Sequence, residues 1–163
     1  MVRIERALLN RMDEAYAIVR EYYDAVDVAV RDDADEFARE YFGDGSGIWL
    51  AYEDGKAVGC IALRPLPQFE RSGEIKRMYV KPESRGRGIA ERLLMALEVY
   101  ATDLAYSRLY LDSKDDLATA IRFYQRHGYE ACERYNDNPQ ATVFMKKELA
   151  VPADAPPVPK ARY

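Results

Sequence analysis

Strand-like and helix-like segments alternate in the second half of the chain, and this order constrains the fold more than any other feature. GEIKRMYV (73–80) and SRLYLD (107–112) have the composition of strands, and apolar side chains recur at helical spacing over 86–104. A helix between two such strands is the usual crossover that makes them parallel. The segment 73–112 therefore predicts two parallel strands joined by a long helix.

The first half predicts antiparallel pairing instead. IWLAYE (48–53) and KAVGCIALRPL (56–66) flank Asp54-Gly55, which is a strong hairpin signal. Periodicity, caps and stops predict the remaining elements: strand 2–8, helix 10–28, helix 32–42, a helix between Asp115 or Asp116 and Gly128, and strands 129–134 and 141–148. Together they predict an α/β (α+β) fold, namely a single-domain mixed, mostly antiparallel central sheet of about six to seven strands with helices on both faces.

The composition fits one domain. The chain has 163 residues, of which 48% are apolar, and this is enough for one hydrophobic core. We expect that domain to occupy residues 1–149. The last stretch, VPADAPPVPKARY, contains four prolines and little periodicity, so residues 150–163 predict a disordered or surface-draped tail.

Charge and cysteine usage argue against several classes of partner. The net charge of −4 gives no general attraction for polyanions, so no nucleic-acid partner is predicted. Charged residues interrupt every apolar run of the N-terminal MVRIERALLNRMDEAY, and nowhere do 18 apolar residues run together, so neither a secretory leader nor a membrane partner is expected. Cys60 and Cys132 lie in apolar runs without metal-ligand spacing. They predict two reduced, packed thiols, no metal site and a cytoplasmic location.

A cationic, glycine-rich turn opens the predicted helix 86–104. Its residues are Arg85, Gly86, Arg87, Gly88, Ile89 and Ala90. The first amides of a helix lack intrahelical partners, and together with the helix dipole they attract an anion that glycine allows to approach closely. The turn therefore predicts a pyrophosphate site. The alternative is that the glycines only ease a tight turn and the arginines are solvated. Neither the Rossmann nor the P-loop pattern fits, because position 91 is Glu91 and no GK[ST] occurs at the required spacing.

This turn resembles the R/Q-x-x-G-x-G/A signature of the GNAT superfamily of acyl-CoA-dependent N-acyltransferases. MYVKPE (78–83) is similar to the lead-in of that signature, and AIRFYQRHGY (120–129) is similar to the family's A-x-x-x-Y-x-x-x-G-F/Y. The order, the spacing and the strand–helix context agree over about residues 2–149. One departure is Leu117, where many members carry asparagine, so we predict no binding role for 113–117.

The resemblance implies how a cofactor would bind. In this family two adjacent parallel strands, here 74–80 and 107–112, splay apart and admit acetyl-CoA, with no metal. The pantetheine arm is then expected to pair with the backbone of Met78 and Val80, and the pyrophosphate to lie on residues 85–90. A main-chain N–H near Met78 is expected to stabilise the tetrahedral oxyanion.

Acyl transfer to an amine needs a base, because an alkyl ammonium has a pKa near about 10.4 and is almost fully protonated at neutral pH. The resemblance implies Glu74 as that base, acting through water, and Tyr124 as the acid that protonates the departing thiolate. Strand alternation places Glu74 on the same face as Met78 and Val80 if no β-bulge intervenes. The alternatives are a structural Glu74 paired with a neighbouring cation and a Tyr124 that only fills the core.

We therefore predict an N-acetyltransferase that moves an acetyl group from acetyl-CoA to a primary amine by direct attack in a ternary complex. The alternatives are a non-catalytic acyl-CoA-binding sensor or scaffold domain and an arginine-mediated nucleic-acid binder. The acceptor is a small-molecule amine or a protein amine, and similar proteins often form homodimers. The acidic residues of the first two helices fit a cationic acceptor or an ordinary solvated surface. YNDNP (135–139) fits a wall of the acceptor pocket or a simple loop.

Overall fold

The structure is a computed structural model that describes residues 1–152 and 154–159. Within those residues it contains seven strands and four α-helices. In chain order they are β1 (Val2–Arg6), α1 (Met12–Ala25), α2 (Ala34–Tyr41), β2 (Gly47–Glu53), β3 (Lys56–Pro65), β4 (Ser72–Val80), α3 (Ile89–Asp103), β5 (Arg108–Ser113), α4 (Ala118–Arg126), β6 (Glu130–Ala131) and β7 (Val143–Glu148). Short 3-10 turns precede α1 at Leu9–Arg11 and α3 at Pro82–Ser84.

The strands form one sheet in the order β1-β2-β3-β4-β5-β7-β6. Every neighbouring pair is antiparallel except β4 and β5, which are parallel and are joined through α3. The predicted fold class, a mixed and mostly antiparallel sheet with helices on both faces, is confirmed.

Each face of the sheet carries its own hydrophobic core. On one face α3 and α4 bury residues such as Leu93, Leu97 and Phe123 against the strands, because the apolar residues of α3 recur every three or four positions. On the other face α1 and α2 bury residues such as Val19 and Phe37. The sheet between them is covered on both sides, which explains why β2 and β3 are apolar runs rather than alternating patterns.

Most predicted boundaries shift by a few residues in the structure, and two of the shifts have a clear cause. The helix expected at 86–104 begins only at Ile89, because Gly86 and Gly88 adopt left-handed φ values of 79° and 77° that interrupt helical geometry. The strand expected at 129–134 shortens to Glu130–Ala131. There Arg134 donates hydrogen bonds to carbonyl groups of the following loop and orders it in a non-strand conformation.

The described part of the C-terminal segment runs along the body of the domain. Arg71 donates a hydrogen bond of 2.8 Å to the carbonyl of Pro156, and Val158 packs against the core beneath α3. The predictions made for residue 153 and for 160–163 lie outside the described residues. None of the helices in the described ranges is both long and apolar enough to cross a membrane.

Candidate active site

The parallel strands β4 and β5 separate soon after they meet. Their register pairs Ser72 with Arg108, Gly73 with Leu109 and Glu74 with Tyr110, and it ends there. Both strands nevertheless continue, β4 to Val80 and β5 to Ser113. The edge of β4 beyond position 74 therefore faces a cleft instead of a neighbouring strand.

A β-bulge in β4 lies beside this cleft. Cys60 pairs with Tyr79 and Ala62 pairs with Lys76, so β4 has two residues, 77 and 78, where β3 has one. Arg77 adopts a positive φ of 59°, which costs free energy in a residue with a side chain. The bulge opens the strand and changes which way its side chains point.

The bulge overturns one expectation. Met78 and Val80 pack on the side of α3, whereas Tyr79 belongs to the core under α1 and α2. Glu74 pairs across the sheet with Arg64, which bonds to Glu40 of α2, so Glu74 lies on the α1 and α2 side. The expectation that Glu74 shares a face with Met78 and Val80 held only without a bulge; the bulge is present, and its extra residue reverses the alternation.

Glu74 is fully buried, and its carboxylate is held by four donor atoms. Oε1 lies 2.9 Å from Nε and 2.8 Å from Nη2 of Arg64. Oε2 accepts hydrogen bonds from the Tyr135 hydroxyl at 2.6 Å and from Asn136 Nδ2 at 3.2 Å. A carboxylate has about four acceptor positions, so those of Glu74 are occupied by the protein itself.

Asp112 lies at the far end of β5, where the two strands have separated. Its Oδ2 accepts a hydrogen bond of 2.6 Å from Asn136 Nδ2, and Lys76 Nζ is 3.6 Å away. Asn136 therefore bridges Asp112 and Glu74, and Lys76 lies 4.0 Å from Glu74 Oε1. The result is a polar network of two carboxylates, one amide and one ammonium that connects the buried base candidate with the cleft.

Tyr124 approaches the cleft from α4. It is 5% exposed, and its ring packs at 5.5 Å from that of Tyr129. Burial raises the pKa of the Tyr124 hydroxyl, with a smaller contribution from the neighbouring Tyr22 of α1. The hydroxyl is therefore protonated at neutral pH and can act as a hydrogen-bond donor.

Tyr22 links the two helical layers. Burial raises the pKa of its hydroxyl, while the positive charge of Arg77 lowers it and the negative charge of Asp112 raises it. Tyr22 thus lies close enough to Tyr124, Arg77 and Asp112 for each to influence it. Tyr22 belongs to the core under α1 and α2, whereas Tyr124 belongs to the core under α3 and α4.

The start of α3 presents unpaired amides at the other end of the cleft. Gly88 is its N-cap residue in a left-handed conformation without a side-chain cap, and the first helical bond joins Arg92 N to Gly88 O at 3.2 Å. The next three amides, at 89–91, lack intrahelical partners. In the part of the chain that the structure describes, nothing lies within 4 Å of a Cβ placed on Gly86 or Gly88, so an anion can approach the backbone there.

The two arginines of the turn have protein partners in this structure. Arg85 Nε donates a hydrogen bond of 2.8 Å to the carbonyl of Val80. Arg87 forms a two-pronged ion pair with Glu53, with Nη2 2.7 Å from Oε1. Ile89 is 2% exposed, and its side chain packs in the core under α3. The main-chain amides are therefore the free donors of the turn.

Sequence reasoning missed Arg64, Asp112 and the position of Arg77. A charged residue before Pro65 at the end of an otherwise apolar strand was the available signal for Arg64. The YNDNP segment was noted, and its Tyr135 and Asn136 do contact the Glu74 network. Within residues 1–152 and 154–159, no group of three or more His, Cys, Asp or Glu side chains is arranged to hold a metal ion.

Comparison with known proteins gives consistent matches. Residues 12–129 match the model of the acetyltransferase (GNAT) family. An uncharacterized N-acetyltransferase of Schizosaccharomyces pombe is 34% identical over 85% of this chain and 89% of that protein. Several other curated N-acetyltransferases align with the chain over about half of their own length.

Solved structures share the fold. A GNAT-family acetyltransferase from Staphylococcus aureus Mu50 superposes with a TM-score of 0.80 at 18% identity, covering 92% of this chain and 100% of that one. The PaiA N-acetyltransferase of Thermoplasma acidophilum, solved in complex with coenzyme A, has a TM-score of 0.70 at 15% identity, covering 91% of this chain and 99% of that one.

Proposed function

Because the chain belongs to the acetyltransferase (GNAT) family, we propose that it transfers an acetyl group from acetyl-CoA to a primary amine by direct attack in a ternary complex. The observation that carries the proposal is the cleft between β4 and β5, which runs beside the unpaired amides at the start of α3. Acetyl-CoA bound in that cleft would have its pyrophosphate at residues 85–90 and its thioester carbon near the bulge. The coenzyme A bound to the PaiA enzyme supports the choice of cofactor.

The chain's own residues supply the environment for the reaction. The amine nitrogen attacks the thioester carbon, the C–S bond breaks, and the sulfur leaves as a thiolate. Main-chain donors at the bulge near Met78 are proposed to stabilise the oxyanion, since β4 has no β5 partner there. The neutral Tyr124 hydroxyl is proposed to donate its proton to the thiolate.

The proton lost by the amine is proposed to enter the network of Glu74, Asn136 and Asp112. Protein donors occupy the acceptor positions of the Glu74 carboxylate. The proton therefore reaches Glu74 through this network or through water, and not by direct contact with the amine. Asp112, at the open end of β5, is the carboxylate of the network that lies nearer the gap. General bases of this kind contribute about 10²–10⁴-fold to a rate.

The test is a steady-state assay of CoA release with acetyl-CoA and a panel of primary amines. We expect intersecting double-reciprocal patterns, which a ternary complex gives, and product that carries the acetyl group on nitrogen by mass spectrometry. Tight binding of coenzyme A without turnover on any amine, and without an effect of Tyr124→Phe, would contradict the enzyme and favour the non-catalytic acyl-CoA sensor. A ping-pong pattern would contradict direct attack.

Location and assembly remain proposals. The free cysteines, Cys60 and Cys132, fit a reducing cytoplasm. A homodimer stays a prediction of the family resemblance, and sedimentation of the purified protein is the measurement that decides it.

A further inference from the structure

Arg77 lies in the bulge of β4, and its side chain packs against Tyr23 of α1. Its side chain is 11% exposed, and its guanidinium lies 5.0 Å from the centre of the Tyr23 ring of α1. Among the described residues its one carboxylate partner is Asp32, with Nη2 and Oδ2 3.4 Å apart, and it also donates a hydrogen bond to the Tyr22 hydroxyl. Its Nε is buried and has no hydrogen-bond partner among the residues that the structure describes.

Arg64, on the neighbouring strand, shows what a satisfied guanidinium on this face looks like. It is held by Glu74 at 2.9 and 2.8 Å and by Glu40 at 2.7 Å. An arginine prefers this close, two-pronged contact with a carboxylate. Arg77 occupies a similar setting but lacks such a two-pronged carboxylate contact. A buried charge that is incompletely paired destabilises the fold.

The backbone adds a second sign that Arg77 has a function. Its positive φ of 59° is a strained conformation that costs free energy. The fold keeps this conformation at the point where β4 faces the cleft. The hydroxyl of Tyr41, which is fully buried, also lacks a hydrogen-bond partner in the described part of the chain. Unsatisfied polar atoms therefore gather on this side of the sheet.

We propose that Arg77 binds a carboxylate carried by the acceptor, so that the acceptor class is a primary amine that also bears a carboxylate, such as an amino acid. The ligand carboxylate supplies the two-pronged partner that Arg77 lacks. Asp112, which like Arg77 influences Tyr22, lies on the β5 side of the gap and receives the amino end. This inference rests on the proposed acetyl transfer and names the substrate of the same site.

The experiment compares each common L-amino acid with its decarboxylated amine in the CoA-release assay. For the best pair, we expect wild type to favour the amino acid in kcat/KM by about 30-fold, which is typical of a hydrogen-bonded charge pair. Arg77→Met is expected to abolish that preference by raising KM for the acid, while kcat/KM for the amine stays within about threefold and KM for acetyl-CoA is unchanged.

A matched control is Arg20→Met, because Arg20 is an exposed arginine of α1 that also stacks on a tyrosine, at 5.1 Å from the Tyr16 ring. Arg20→Met removes one positive charge from the exposed surface of α1 and should keep the preference for the amino acid. If Arg77→Met does not fold, Arg77→Lys keeps the charge without the fork and is expected to lower the preference about tenfold.

The outcomes separate the two proposals. Acetylation of decarboxylated amines as fast as of the acids overturns the carboxylate site and leaves acetyl transfer intact. An unchanged preference in a folded Arg77→Met also overturns it. Absence of turnover on every acid and amine overturns the proposed function and this inference with it.

Discussion

Arg64 holds the buried carboxylate of Glu74 through Nε at 2.9 Å and Nη2 at 2.8 Å, both on the same oxygen. Glu74 is thereby an anchor that ties β3, β4 and the loop at Tyr135 together. Its structural and chemical roles therefore have to be measured separately.

Glu74→Gln is expected to lower the free energy of unfolding by about 3 kcal/mol, because it leaves a largely buried guanidinium with one partner fewer. The measurement is urea denaturation. The matched control is Glu148→Gln, which breaks a similar pair with Arg108 at 2.6 Å on the surface and should cost less than about 1 kcal/mol. Equal losses in the two variants would show that Glu74 is not an anchor.

Asp112→Asn is expected to lower kcat by about 100-fold, because it removes the carboxylate that lies at the open end of the network. The comparison is Asp116→Asn, an exposed aspartate a few residues away that should leave kcat within about twofold. If Glu74→Gln abolishes turnover in a folded protein while Asp112→Asn keeps it, Glu74 alone is the proton acceptor.

Gly86→Glu is expected to weaken coenzyme A binding at least about tenfold, because a side chain and a negative charge would occupy the site of the pyrophosphate. Gly55→Glu is the matched control: Gly55 has the same φ of 79° and open space around it, but lies in the β2–β3 turn. Both variants should lose about 1 kcal/mol of stability from backbone strain. Calorimetric titration with coenzyme A measures the difference, and equal affinities would contradict a pyrophosphate site at residues 85–90.

Tyr124→Phe is expected to lower kcat about 100-fold with coenzyme A affinity unchanged, since only the hydroxyl is lost. It should also change the alkaline stability. Burial raises the pKa of Tyr124, so above about pH 10 the unfolded chain releases a proton that the folded protein keeps, and stability falls as the pH rises. The contribution of Tyr124 to the fall in the free energy of unfolding approaches about 1.4 kcal/mol per pH unit, and it should be missing in Tyr124→Phe. Urea denaturation between pH 8 and 11 tests this, and identical slopes would contradict a buried neutral phenol.

Several site residues were accessible to sequence reasoning because their signal is local. The glycines at 86 and 88 mark a turn before a helix, and the structure places both in left-handed conformations beside unpaired amides. Tyr124 was singled out by the resemblance of AIRFYQRHGY (120–129) to a family motif, and the structure places it on α4. The side-chain position of Arg77 could not be read from the sequence, since it depends on one extra residue in β4.

The sequence alone determined the order of the elements, the parallel crossover through α3 and the glycine-rich turn before it, because periodicity and backbone sterics act between residues close in the chain. Only the tertiary structure decided which side chains meet in the cleft. Tyr135 reaches Glu74 across 61 positions, and Asn136 joins Glu74 to Asp112. Such contacts depend on strand register and on a bulge, and a shift of one residue moves every side chain to the opposite face.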